Sequence, residues 1–142
     1  MSYYQTTARV DRITEKGEQK KISEKFLVDA LSNTEAIAVT IDRLTPYVSG
    51  ELSVSASKTT KICEVFGAPD SDKFYTAKVV FITIDERTAK EKRTVSQWLI
   101  GGTDFNDAYE TVLREFNKSM ADCELVSLTE SKIVEYYPHN NE

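Results

Sequence analysis

The sequence predicts an α+β fold: a ββαβ unit used twice, with a mainly antiparallel sheet and both helices on one of its faces. Three observations predict it. Short blocks recur in the same order, Thr7-Ala8-Arg9-Val10 as Thr76-Ala77-Lys78-Val79 and Thr60-Lys61-Ile62-Cys63-Glu64-Val65-Phe66 as Ser131-Lys132-Ile133-Val134-Glu135-Tyr136-Tyr137. Between those blocks, Ala36, Ile41 and Leu44 match Ala108, Leu113 and Phe116 at helical spacing. Runs of β-branched and aromatic residues, bounded by polar turns, flank each helical stretch. The offsets are 69, 72 and 71 residues in chain order, a drift that small loop insertions explain. The two repeats cover about residues 3–67 and 73–138 of a single domain, 1–142.

The first strand of each copy covers residues 4–13 and 74–84. Lys78-Val79-Val80-Phe81-Ile82-Thr83-Ile84 is nearly continuous in apolar character, as a central strand covered on both faces is. Polar turns follow at 14–18 and 85–90, and Gly17 in the first is free to take a positive φ. Second strands run to Phe26-Leu27-Val28 and to Trp98-Leu99-Ile100. Ser32-Asn33-Thr34-Glu35 has the S-x-x-E form of a capping box, in which hydroxyl and carboxylate each satisfy an orphan amide. Ile37, Ile41 and Leu44 then fall on one helix face, and Pro46 marks the stop. In the second copy Thr103 or Asp104 caps, and Phe105, Ala108, Val112 and Phe116 form the stripe. One long strand closes each copy, near residues 51–66 and 123–137.

Composition narrows the function. Apolar residues make up 40% and charged residues 29% of the 142, a soluble globular balance. The net charge of −5 disfavours a duplex nucleic-acid partner, which needs clustered positive charge. No apolar run is long enough to span a bilayer, and residues 1–7 lack the features of a secretion signal. A cytoplasmic protein with no membrane partner is expected. Cys63 and Cys123 form no C-x-x-C pair, so reduced and mostly buried thiols are expected, with no metal site. His139 is the single histidine and lies near the end, where a frayed and solvated side chain is expected. Ser-His-Asp and Cys-His catalysis would both rest on it, so the expectation is a protein that is not an enzyme and carries no cofactor.

Leu27-Val28-Asp29-Ala30-Leu31-Ser32, Thr45-Pro46-Tyr47-Val48-Ser49-Gly50-Glu51 and Glu64-Val65-Phe66 are landmarks of a resemblance. Val80-Phe81-Ile82-Thr83-Ile84-Asp85-Glu86 with Glu91-Lys92-Arg93 completes the pattern. In these blocks the chain resembles a small family of domains of unknown function found in gut anaerobes of the Bacteroides type and in their phages and mobile elements. The resemblance covers nearly the whole chain. It implies a phage or mobile-element protein acting inside a bacterial host cell, and it implies no catalytic residues.

Several residues are candidates for binding. Gly101-Gly102-Thr103 lies between a predicted strand and a predicted helix, where backbone amides and a helix N-terminus can approach an anion. Arg9 with Lys78, and Lys61 with Lys132, are cations at matched places in the repeat. By strand alternation Arg9 and Lys78 share a face with Thr7 and Thr76, so two cations and two hydroxyls could grip a phosphate-bearing ligand. Tyr4 and Tyr75 belong to a set of aromatics near strand ends that could stack on a base. Glu64 and Glu135 also match across the repeat and read as strand-end or salt-bridging carboxylates. Trp98 reads as core.

The function these features favour is capture of a small nucleotide-type ligand, such as a host defence signal. The alternative is a single-stranded nucleic-acid-binding accessory or a structural phage protein. An uncovered sheet face and open edges favour association, so a homo-oligomer is expected.

Overall fold

The computed structural model of the chain describes residues 2–13, 15–48 and 50–139. Its elements are β1 (Ser2–Ile13), β2 (Gln19–Ala30), α1 (Asn33–Leu44), a 3-10 turn (Thr45–Tyr47), β3 (Leu52–Thr59), β4 (Ile62–Phe66), β5 (Lys73–Ile84), β6 (Glu91–Gly102), α2 (Phe105–Lys118), β7 (Asp122–Glu130) and β8 (Ile133–Tyr137). The fold is α+β and mainly antiparallel, but the strands form two sheets rather than one. Their orders are β3-β1-β2-β8 and β4-β6-β5-β7. Each sheet has two antiparallel pairings and one parallel pairing, β2 with β8 and β6 with β4.

Two compact units result. The first comprises residues 1–60 with 132–142, the second residues 61–131. The long closing strand expected in each copy is broken after Thr59 and after Glu130, and its last five residues join the other unit's sheet. The elements keep the repeat in length and spacing. β1 and β5 have 12 residues each and start 71 apart, β2 and β6 start 72 apart, and β4 and β8 start 71 apart. Each first strand carries a bulge against its outer partner, between Thr7 and Ala8 and between Lys78 and Val79.

Each hairpin turn places one residue in the left-handed region. Gly17 takes φ +79° in the first, as its freedom from a Cβ allows. In the second, Ala89 takes φ 57° and donates its amide to the Asp85 carbonyl at 2.7 Å. Helix α1 starts at Ser32, whose hydroxyl accepts from the Glu35 amide at 3.1 Å while the Glu35 carboxylate accepts from the Leu31 amide at 3.3 Å. Helix α2 repeats this with Asp104 as the cap: its carboxylate accepts from the Asp107 amide at 2.8 Å, and Asp107 accepts from the Thr103 amide at 3.0 Å. The second box reads T-D-x-x-D, with two carboxylates where the first has a hydroxyl and a carboxylate, and anionic groups suit a helix N-terminus.

Each unit has its own core between one helix and one sheet face. In the first unit Tyr4, Ala8, Val10, Phe26, Val28 and Tyr137 meet Ala36 and Leu44. In the second Tyr75, Ala77, Val79, Trp98 and Ile100 meet Ala108 and Val112. The inward line of α1 is Ala36, Thr40 and Leu44, and Ile41 stays 40% exposed. In α2 the expected Phe105 is 53% exposed. Small residues line the contact because they let a helix lie close to a sheet, and the larger residues sit on the flanks. Thr6 and Thr40, both fully buried, share a 2.8 Å hydrogen bond, and Thr40 donates to the Ala36 carbonyl at 2.8 Å. The sheet faces away from the helices are not simply solvated, since Leu27, Phe74, Leu99 and Val80 are buried there.

Candidate functional site

The residues matched across the repeat fall in different units. Register shows that β1 corresponds to β5 at an offset of 71, not 69. The counterpart of Arg9 is therefore Val80, 6% exposed, and the counterpart of Lys78 is Thr7. Arg9 and Lys78 are exposed on different sheets, beside half-buried Thr7 and Thr76, so the matched cation pair has no symmetric basis. The error arises because the Thr-Ala-x-Val identity is shorter than the pairing that fixes register. Lys61 and Lys132 are true counterparts, exposed just before β4 and β8. Tyr4 and Tyr75 are also counterparts, 8% and 4% exposed within the two cores. Cys63 is exposed rather than buried, Cys123 is half-buried, and both are free thiols. His139 is packed rather than solvated: its Nε2 lies 3.1 Å from Glu35 Oε1 with the imidazole 20% exposed.

Gly101, Gly102 and Thr103 do come together, at a cavity of about 380 Å³ in the second unit. The Thr103 donors there are already used. The Thr103 amide and hydroxyl both donate to Asp107 Oδ2, at 3.0 and 3.4 Å. Asp70, Asp72 and Asp107 face a single cation, Arg114, across the same cavity, which opposes a phosphate. Gly101 has a packing role instead. A Cβ there would run into the Ser71 side chain and the Ala68 carbonyl, so glycine lets the 67–72 loop close on the strand end.

A better-built site lies beside α2, in a groove of about 380 Å³ within the second unit. β4 supplies Cys63, Glu64 and Phe66, because alternation brings Glu64 and Phe66 to one side. β5 supplies Phe81, and β6 supplies Ser96 and Trp98. The end of α2 supplies Glu115 and Lys118, with Ser119 behind them. The floor is aromatic. Trp98 has Phe66 at 4.8 Å and 71°, Phe116 at 5.7 Å and 63°, and Phe81 at 6.0 Å and 55° between ring centroids and planes. Such tilted and edge-to-face packing holds the indole, 4% exposed, in one orientation. The rim is polar: Lys118 Nζ lies 3.2 Å from Glu115 Oε1, and the Cys63 thiol donates to the Gln97 carbonyl at 3.3 Å.

An apolar floor with a few convergent polar groups is the usual form of a small-ligand pocket. The groove's charged rim is two carboxylates and one ammonium, so it favours a planar group that presents N–H donors over one that presents an anion. The sequence singles out Glu64 and Trp98 but does not join them, because the lining is spread over positions 63–119. Strand alternation along β4 and β6 was the available signal.

Elsewhere, burial and the neighbouring Glu135 carboxylate hold the Tyr137 phenol protonated well above its usual range, and burial does the same for Tyr136 beside Tyr3. Among the described residues, no three or more His, Cys, Asp or Glu side chains are placed to hold a metal ion. No described helix is long and apolar enough to cross a membrane. A family model for a domain of unknown function, DUF4494, matches residues 2–139. No curated protein matches the chain.

Proposed function

We propose that this chain, which belongs to the DUF4494 family, is a non-enzymatic binding protein that captures a nucleotide-type ligand by its base in the groove over Trp98. The observation that carries the reading is the groove itself: three aromatic rings at the floor, with carboxylates and hydroxyls at the rim. A purine or pyrimidine offers a flat apolar body to the rings and N–H groups to Glu64. The phosphate points to solvent and adds little affinity, since the rim carries more negative than positive charge. This protein acts in the cytoplasm of a bacterial host as a phage or mobile-element product that holds a host defence signal. The resemblance to a family of gut anaerobes and of their phages and mobile elements supports that part of the proposal.

Trp98 is the single tryptophan, so its fluorescence reports on this groove alone. Adenosine, guanosine and their 5′-monophosphates should quench it, with each monophosphate binding no tighter than its nucleoside. Glu64→Gln should weaken the quenching about tenfold, as expected for loss of one charge-assisted hydrogen bond. No quenching by any of the four at millimolar concentration would overturn the reading. Binding of a single-stranded oligonucleotide without any response to nucleosides would favour the nucleic-acid-binding alternative.

A further inference from the structure

The first unit holds a groove of about 340 Å³ lined by Glu24, Phe26, Leu44, Tyr47, Val134 and Glu135. It is the repeat counterpart of the groove over Trp98. Offsets of 72 carry Glu24 to Ser96, Phe26 to Trp98 and Tyr47 to Ser119, and an offset of 71 carries Val134 and Glu135 back to Cys63 and Glu64. Even the aromatic neighbour is kept. The Tyr137 ring packs on Phe26 at 5.4 Å, where Phe66 packs on Trp98 at 4.8 Å. Interiors pack densely, so an opening of this size at the same place in both copies is a feature of the unit and not a local defect.

The two copies differ in what borders the opening. Tyr47 stands in the 3-10 turn behind Pro46, the residue 77% exposed, where the second copy has only a serine. Val134, 44% exposed, replaces the thiol on the other side. An exposed phenol ring and an exposed isopropyl group thus border the opening, and Glu135 stays at the position Glu64 holds. The Glu135 carboxylate is anchored next to the buried Tyr137 phenol, and Arg43 lies 5.7 Å from the Tyr137 ring centroid.

We infer that this groove is a second binding site for planar heteroaromatic ligands, with Tyr47 as its covering ring, so that one chain binds two such molecules. The inference rests on the reading of the groove over Trp98. A ligand enters between Tyr47 and Val134 and directs an N–H group at Glu135. The site differs from its counterpart in offering a face for stacking at the rim, where the other offers rings at the floor.

Equilibrium dialysis of the full chain with labelled adenosine and guanosine gives the stoichiometry, and Trp98 fluorescence isolates the second unit. Two molecules per chain are expected. Tyr47→Ala and, separately, Glu135→Gln should each reduce that to one while leaving the Trp98 quenching midpoint unchanged. Tyr47 is largely exposed, so its truncation leaves the fold intact, which circular dichroism checks. One molecule per chain with full Trp98 quenching overturns this inference and leaves the proposed function standing. Absence of both dialysis binding and quenching overturns the proposed function and this inference with it. One molecule per chain that is lost in Tyr47→Ala, with no Trp98 response, overturns the assignment of the groove over Trp98 and the two-site stoichiometry together.

Discussion

Replacing Thr6 and Thr40 together should be far milder than the sum of the two single replacements. The two hydroxyls are fully buried and 2.8 Å apart. Thr40 has one proton and gives it to the Ala36 carbonyl, so Thr6 must be the donor in the pair. Thr40→Val then strands the Thr6 hydroxyl in a dry site, which costs about 2 kcal/mol. Thr6→Val leaves Thr40 still donating to Ala36 and costs about 1 kcal/mol. In the double variant no hydroxyl remains to be satisfied. The second unit shows that the site accepts this chemistry, since Ala77 and Val112 occupy the counterpart positions and are fully buried. The double variant should therefore fall within about 1 kcal/mol of the parent, a coupling of about 2 kcal/mol between the sites. Urea unfolding followed by circular dichroism, with amide exchange in β1 as a reporter local to the first unit, measures all four corners of the cycle. Additive costs of about 3 kcal/mol in the double variant would refute both the donor assignment and the use of the second unit as a guide to the first.

Gly67→Ala should destabilise by about 3 kcal/mol, because φ is +91° and the new Cβ would meet the Gly101 backbone. Gly17→Ala should cost only about 1 kcal/mol, since φ is +79° there but nothing lies within 4 Å; equal costs in urea titrations would remove the close-approach argument. Tyr136 and Tyr137 have folded pKa values raised above 10, so their contribution is complete below that pH and declines as pH rises beyond it. Spectrophotometric titration of the parent against Tyr136→Phe and Tyr137→Phe should show that each of these two phenols resists ionisation above pH 10, and ionisation of either near pH 10 would contradict this. Cys63 should react with a thiol reagent in the native state faster than half-buried Cys123, with two groups per chain after denaturation. Arg9→Ala with Lys78→Ala should move stability by less than about 0.5 kcal/mol, as exposed charges usually do, and a larger loss would reveal a structural role for them.

The legible parts of the fold are those encoded within a few residues. Ser32 with Glu35 announces a helix start because capping is a contact between positions three apart. Gly17 announces a turn for the same reason. The breaks after Thr59 and Glu130 are invisible locally, since the stretches on either side have the same strand character and nothing in them says which sheet accepts them. The α1 stripe is misread by one position at Ile37 and Ile41, which outrank Ala36 and Thr40 in hydrophobicity while the geometry of helix on sheet selects for size; the α2 stripe holds at Ala108 and Val112 and fails at Phe105. Of the site, Glu64 is visible as a repeat-matched carboxylate and Trp98 as an apolar ring. Their meeting at the end of α2 depends on the parallel pairing of β4 with β6, a long-range event with no signature in either strand.

The reciprocal exchange of closing strands also sets an order of events during synthesis. The first unit's sheet lacks β8 until residues 133–137 have been made, 74 positions after β3 ends at Thr59. At translation rates of about 5–20 residues per second, that interval is on the order of 4–15 s. Throughout it the β2 edge is unpaired, and an open edge invites pairing with a neighbouring chain. The half of the protein that is made first is thus the half completed last, and a ribosome stalled anywhere in the second repeat leaves the N-terminal sheet one strand short.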